Sequence, residues 1–182
     1  SDVLVKTIGP EKLKKWDAEV LTDGTVRFNK PDNQFDRGSA ILKEQFKSDL
    51  NDFVPLYLQV MNMPQFKGRI NEIHIDGHTS AVWNTLTPEK EAYFNNMVLS
   101  QARTVNTLQF VLTHAAVAKD YEWYRKHIVS NGYSSSRPRI DNPSAPENQR
   151  VEFKVIIDDP RDPKQAPTAK KRKEWQIDIV EK

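Results

Sequence analysis

The segment His74-Ile75-Asp76-Gly77-His78 holds the densest set of chemistry-bearing side chains in the sequence. In an extended strand alternate residues share a face, so His74, Asp76 and His78 point the same way. Two imidazoles and a carboxylate on one face suit a divalent cation. The plainer reading is a set of strand-end polar residues facing a loop or solvent. His114 and His127 add no ligand, because both fall in helical stretches without an acidic partner at ligand spacing. No metal is therefore assigned. Ser134-Ser135-Ser136 lacks the strand–turn–helix setting and flanking glycines of a hydrolase serine. The 6 glycines are scattered, so no phosphate-cradling loop exists. No catalytic residue and no cofactor are assigned, and the chain reads as a binding protein rather than an enzyme. Arg103 is the residue that suits binding. Ser100 and Arg103 lie three apart and are neighbours on a helix surface. An arginine presented beside a strand-end loop grips a carboxylate with two parallel hydrogen bonds. The plain alternative is a solvated helix arginine.

The elements that must position these residues follow from periodicity. Asp23-Gly24 signals a turn before a short alternating strand, 25–28, and Pro31 to Ser39 reads as loop. From Ala40 the period becomes helical: Leu42, Phe46, Leu50, Phe53, Tyr57 and Val60 share one face, with Ser39 as N-cap and a bend or early end at Pro55. Residues 69–76 alternate as a strand. Thr87-Pro88-Glu89 opens a second long helix, whose apolar stripe is Phe94, Met97, Val98, Ala102, Val105, Leu108, Leu112 and Ala115. A further helical piece, 121–129, stops at Asn131-Gly132. Residues 134–146 read as loop and edge strand, and 150–157 alternate cleanly as a strand. Trp175, Ile177, Ile179 and Val180 are a candidate last strand. The order predicts an α/β two-layer sandwich, one mixed sheet with helices packed on one face.

Composition narrows the function. The 182 residues suffice for one ordinary domain with a core. The chain has 8 Phe, 5 Tyr and 4 Trp, too many aromatics for a disordered chain. No apolar run reaches the roughly 18 residues a membrane helix needs. Cys is absent, which removes disulfides and thiolate chemistry but leaves the compartment open. The net charge is +2, and the run Lys170-Lys171-Arg172-Lys173 carries four positive charges; without it the chain stands at −2. The body thus lacks a broad basic face, and no nucleic-acid partner is expected.

Five segments, in order, resemble the OmpA-like domain shared by OmpA, Pal and MotB proteins. Gln34-Phe35-Asp36-Arg37-Gly38-Ser39-Ala40, with Leu42 and Phe46, is similar to the family's "F-D-x-G-S-A-x-L". Ile73 to Thr79 is similar to its hydrophobic strand ending in "G-H-T-D". Asn96-x-x-Leu99-Ser100-x-x-Arg103 matches "N-x-x-L-S-x-x-R". Gly132 with Pro138 resembles "G-x-G-E-x-x-P", and Asn148-Gln149-Arg150-Val151-Glu152 resembles "N-R-R-V-E". The "GHTS" variant, the Asn95-Asn96-Met97 helix and the serine-rich loop look like MotB-type stator subunits, among which the MotB-like subunit of the Zorya anti-phage system is one such relative.

The resemblance implies an OmpA-like sandwich over 23–158. It implies non-covalent binding of peptidoglycan through the diaminopimelate of its stem peptide, anchoring a membrane stator-like complex to the wall. Arg103 would take the carboxylate; Thr79, Ser80, Asn96 and Leu99 would surround it, and Arg150 would stand near on the last strand in a supporting ion pair. Ser80 occupies the place of the family's ammonium-binding Asp, with Asp76 or Glu89 as conceivable substitutes, and Ser135 that of a family Glu. Trp83 lies in a longer loop, to stack on a sugar or to pack. Residues 1–22 would be a linker from a missing N-terminal transmembrane helix and 159–182 a charged tail. The implied setting is the periplasmic side of the inner membrane, with a homodimer and a motor or channel subunit as partners. The rival reading keeps the same fold purely as a dimerisation module of such a complex.

Overall fold

The computed structural model describes residues 1–158. In chain order these form α1 (Asp2–Ile8), α2 (Pro10–Trp16), β1 (Ala18–Val20), β2 (Val26–Phe28), α3 (Pro31–Gln34), α4 (Glu44–Met61), α5 (Pro64–Lys67), β3 (Ile70–His78), α6 (Glu89–Thr113), α7 (Tyr121–His127), β4 (Ile128–Gly132) and β5 (Arg150–Ile157), with short 3-10 turns at Ala115–Asp120 and Pro146–Asn148. The strand order is β1-β2-β5-β3-β4. Only β3 and β4 run parallel, joined by the α6–α7 crossover; the other pairs are antiparallel. The expected mixed sheet is present. The basic run 170–173 and the candidate strand 175–180 lie outside the described residues.

Alternation sorts the sheet into two chemistries. Val26, Phe28, Ile73, Ile75, Val151 and Phe153 share the helix-facing side and are buried. Phe28 meets Phe46, Phe53 and Phe153 edge-on at 5.5, 5.2 and 6.0 Å between ring centres, the offset arrangement that aromatic quadrupoles favour. On the opposite side lie Glu19, Arg27, His74, Asp76, His78, Arg150, Glu152 and Lys154, in register across four strands. That face is an ionic plane.

Residues 1–22 do not form the expected linker. Leu4, Ile8 and Trp16 are buried in the core, with the Trp16 ring 6.0 Å from Phe53 and 6.3 Å from Phe28. Gly9 at φ +85 makes the corner that lets α1 and α2 fold separately. Three local expectations also change. The helix α4 starts at Glu44 rather than at Ser39 and runs through Pro55. Pro31–Gln34 is a helical turn, not open loop. Asn131-Gly132 does not stop a helix; it ends β4, because pairing with Asp76-Gly77 of β3 claims its backbone.

The largest correction concerns α6. Phe94, Val98 and Val105 of its expected apolar stripe are 57%, 68% and 52% exposed, and the buried face is Ala92, Asn96, Ser100, Arg103, Thr104, Thr107 and Val111. The reason lies beneath it. Gly77 and Gly132 face each other across β3 and β4, and α6 presses onto that pair. A Cβ on Gly77 would stand 2.6 Å from Thr104 Cγ2 and 2.9 Å from the Ser100 carbonyl; one on Gly132 would stand 2.5 Å from the Gln101 amide nitrogen. Only small or self-satisfied side chains fit such a contact. Thr104 Oγ1 donates to the carbonyls of Ser100 and Gln101 (3.2 and 3.0 Å) and Thr107 Oγ1 to that of Arg103 (2.8 Å), so their hydroxyls are buried without an unmet bond.

Overpacking against backbone should therefore dominate at these glycines. Gly77→Ala and Gly132→Ala are each expected to destabilise the fold by about 1–3 kcal/mol in urea unfolding. Gly68→Ala, at an ordinary negative φ with nothing within 4 Å, should be neutral or slightly stabilising.

Candidate ligand-binding site

Past His78 the chain leaves β3 and passes over the N-terminal half of α6. Ser134, at φ +51, ties this turn down: its amide donates to Ser100 Oγ (3.1 Å), its hydroxyl donates to the Tyr93 carbonyl (2.7 Å), and its own carbonyl accepts from the Thr79 amide (2.9 Å). A cavity of about 590 Å³ opens here. One wall is Asn96, Leu99 and Arg103 of α6. A second is Thr79, Ser80, Val82, Trp83 and Asn84 after β3. A third is Pro31, Asp32, Phe35, Arg37 and Gly38 around α3, with Ser144 and Gln149 closing the side near β5.

Five of the six residues singled out in the sequence thus meet in one cavity: Thr79, Ser80, Asn96, Leu99 and Arg103. Arg150 does not line it. Its Nε donates to Glu152 Oε1 (2.7 Å), and its two terminal nitrogens donate to the carbonyls of Asn148 (3.1 Å) and Arg137 (3.2 Å). Trp83 lines the cavity. Asp76 lies on the ionic face and accepts from Asn131 Nδ2 (2.8 Å), and Glu89 is exposed at the start of α6; neither reaches the cavity. Ser135 lines a separate hollow of about 170 Å³ beside Pro138 and Asn148.

Arg103 is 7% exposed. Its Nε donates to the Ser39 carbonyl (2.8 Å), Nη2 donates to the Asp36 carbonyl (3.1 Å), and the guanidinium lies 4.8 Å from the Phe35 ring centre. Among the described residues no carboxylate lies within ion-pair distance of it. Burial of this unneutralised cation pushes its pKa down to about 10. On residues that line the same cavity, Thr79 Oγ1 and Asn96 Nδ2 are buried without a hydrogen-bond partner. An anion carrying its own acceptors is the ligand such a set can hold.

The neighbouring charges are organised differently. Glu152 Oε1 accepts from both Arg27 Nε and Arg150 Nε at 2.7 Å, and Glu19 Oε1 accepts from Arg27 Nη1 (3.1 Å). Burial alone would push the Glu152 carboxyl up, but its contacts with His78, Arg150 and Arg27 outweigh burial and hold it far below the usual carboxylate range. Burial lowers the His78 pKa; its Nε2 is 3.5 Å from Glu152, too long for a full hydrogen bond, and its ring stacks on Tyr133 at 5.2 Å. His74 meets Glu72 at 2.6 Å instead of sharing a ligand with His78. The described residues hold no group of three His, Asp or Glu side chains placed for a metal.

Sequence reasoning missed two residues. Asn148 is buried and makes four hydrogen bonds, accepting from the amides of Arg139 and Ile140 and donating to the carbonyls of Ile140 and Asn142. It fixes the loop that leads into Gln149. Its place at the head of the Asn148-Gln149-Arg150-Val151-Glu152 motif was the available signal. Asp32 puts a carboxylate on the cavity wall, and no motif marks it.

The ionic cluster makes stability acid-sensitive. Glu152 has a depressed pKa when folded, so its contribution is present above the ordinary Glu range near pH ~4.3 and is lost as pH falls through the folded value. Below about pH 6.5 the unfolded chain also takes up a proton that buried His78 refuses, which acts in the same direction. Melting temperature is expected to fall from pH 7 to pH 4. Glu152→Gln should destabilise by about 3–5 kcal/mol at pH 7, because buried Arg150 loses its counter-charge and Arg27 keeps only Glu19. It should also flatten the profile below pH ~4.3.

No protein-family model matches the chain. It is 40% identical over 148 residues, 79% of its length, to the Zorya protein ZorB of Escherichia coli, and it spans 62% of that protein's length. Among solved structures it superposes on the cell wall anchor of the type VI secretion system (T6SS) from Pseudomonas aeruginosa with TM-score 0.58 and 19% identity, covering 85% of this chain and 96% of that one. A MotB-like protein from Desulfovibrio vulgaris gives 0.52 at 18% identity, covering 86% and 97%. The OmpA-like domain of FopA1 from Francisella tularensis gives 0.50 at 19% identity, covering 78% and 82%. The chain thus has the fold of OmpA-like domains and is similar in sequence to the Zorya protein ZorB.

Proposed function

We propose that this domain is a cell-wall anchor that holds peptidoglycan non-covalently by receiving a carboxylate of the stem-peptide diaminopimelate on Arg103. The observation that carries the reading is the buried guanidinium facing a cavity with no carboxylate partner among the described residues. A cation held this way is preorganised. Two carbonyls and an aromatic ring fix its plane, and Nη1 makes no hydrogen bond among the described residues. A ligand carboxylate supplies the missing counter-charge. The unmet groups of Thr79 and Asn96 add hydrogen-bonding capacity around it, and Leu99 and Trp83 give apolar wall.

Binding, not catalysis, is what such a set performs. It holds no nucleophile paired with a base and needs no cofactor. One amino-acid-sized ligand gives modest affinity, but peptidoglycan repeats its stem peptides. Two domains in one homodimer would then gain avidity on the order of 10²–10⁴ without any new contact. In this reading the domain is the fixed end of a membrane-embedded, stator-like complex of anti-phage defence. It sits on the periplasmic side of the inner membrane with a motor or channel subunit as partner. The wall anchor of the Pseudomonas secretion system and the MotB-like protein, both sharing this fold, support that setting. Among the described residues no helix is long and apolar enough to cross a membrane.

Co-sedimentation with purified diaminopimelate-type sacculi tests the reading. The wild-type chain is expected in the pellet. Arg103→Ala should weaken retention by roughly thirtyfold or more, the effect of truncating one side of a buried charge pair. Arg103→Lys should recover only part of it, since a point charge lacks the planar fork. Thermal melts establish that both variants fold. Wild type and Arg103→Ala remaining together in the supernatant would overturn wall binding and leave the fold as an assembly module. The exposed Phe94, Val98 and Val105 on one face of α6 suit that second reading.

A further inference from the structure

The cavity that holds Arg103 carries one carboxylate on its wall, Asp32. Asp32 lies in the α3 turn, and Phe35, the C-cap of that turn, is the ring against the Arg103 guanidinium; both residues line the cavity. Asp32 is nevertheless not paired with Arg103. Among the described residues Asp32 is in no ion pair, and Arg103 is held by the carbonyls of Ser39 and Asp36. Opposite charges that line one cavity without meeting leave room for a molecule bearing both. Ser80, on the facing wall, has no charge, and its hydroxyl turns to the Val82 carbonyl (3.4 Å).

We infer that Asp32 is the ammonium-binding residue of this site. The ligand class is then an amino-acid end group with a free carboxylate and a free ammonium, the carboxylate on Arg103 and the ammonium towards Asp32. The inference rests on the proposed wall-binding function and makes it more specific. A ligand with carboxylates alone gains nothing from Asp32 and is repelled by it. Asp32 therefore selects the zwitterion over a plain dicarboxylic acid of the same length. Its side chain is exposed, so it acts at the cavity rim and its effect is screened by salt.

Calorimetric or NMR titration with meso-diaminopimelate and with pimelate, the same chain without amino groups, tests this. Wild type should prefer meso-diaminopimelate. Asp32→Asn should weaken meso-diaminopimelate by roughly three- to fivefold at low salt, as expected for a rim charge pair, and leave pimelate unchanged or slightly tighter. Asp32→Lys should weaken the first further and strengthen the second. Equal affinity of wild type and Asp32→Asn for meso-diaminopimelate would overturn the role of Asp32 and leave the wall-binding function standing. Wild type that binds meso-diaminopimelate no better than Arg103→Ala does would overturn both.

Discussion

The close seating of α6 on the glycine pair of β3 and β4 is the contact on which the rest depends. Gly77 and Gly132 are registered partners, and both accept the backbone of one helix turn, Ser100-Gln101, at distances a side chain would block. That contact fixes which face of α6 points inward. It places Asn96 and Arg103 toward the strand end and turns Phe94, Val98 and Val105 out to solvent. It also brings Ser100 Oγ within reach of the Ser134 amide, which anchors the loop facing Thr79. The cavity is thus a by-product of packing: once the helix lies flush, its polar face must end somewhere, and it ends at the loops after β3 and around α3.

Two buried arginines are compensated in different ways. Arg150 is neutralised within the protein by Glu152, which also serves Arg27, and its remaining donors go to backbone carbonyls. Nothing is left over for a ligand. Arg103 is equally buried but meets only neutral carbonyls and a ring, and its pKa is pushed down accordingly. Leaving a cation uncompensated in a low-dielectric site is unfavourable to folding. That cost is what the proposed ligand carboxylate would offset. The ionic plane on the other sheet face gathers many of the charges of the described residues into compensating pairs.

Much of this was legible in the sequence, and the exceptions share a cause. β3 and β5 were readable because one sheet side is apolar and the other ionic, which gives clean alternation. The long helices were readable from their period. The orientation of α6 was not, because hydropathy ranks Phe94 and Val98 above Ser100 and Thr104, and a helix packed on glycine inverts that ranking. The role of 1–22 was hidden for a related reason. Leu4, Ile8, Leu13 and Trp16 give a weak helical period, but Gly9-Pro10 splits the segment into two seven-residue helices, and so weak a pattern does not mark Trp16 as one of the most buried aromatics. The motif positions Thr79, Asn96 and Arg103 line one cavity. Asp32 belongs to no motif, and only the path of the chain around α3 brings it to the cavity wall.

The account stands or falls on whether the Arg103 guanidinium is the group that meets the ligand. The most direct measurement is the side-chain Nε–H resonance of Arg103 in a 15N-labelled sample, followed during titration with meso-diaminopimelate. The account predicts a saturable shift of that resonance together with the amides of Thr79 and Asn96, while the Arg150 and Arg27 side-chain resonances, tied to Glu152, stay in place. An Arg103 resonance that remains fixed while another region of the domain responds would contradict it.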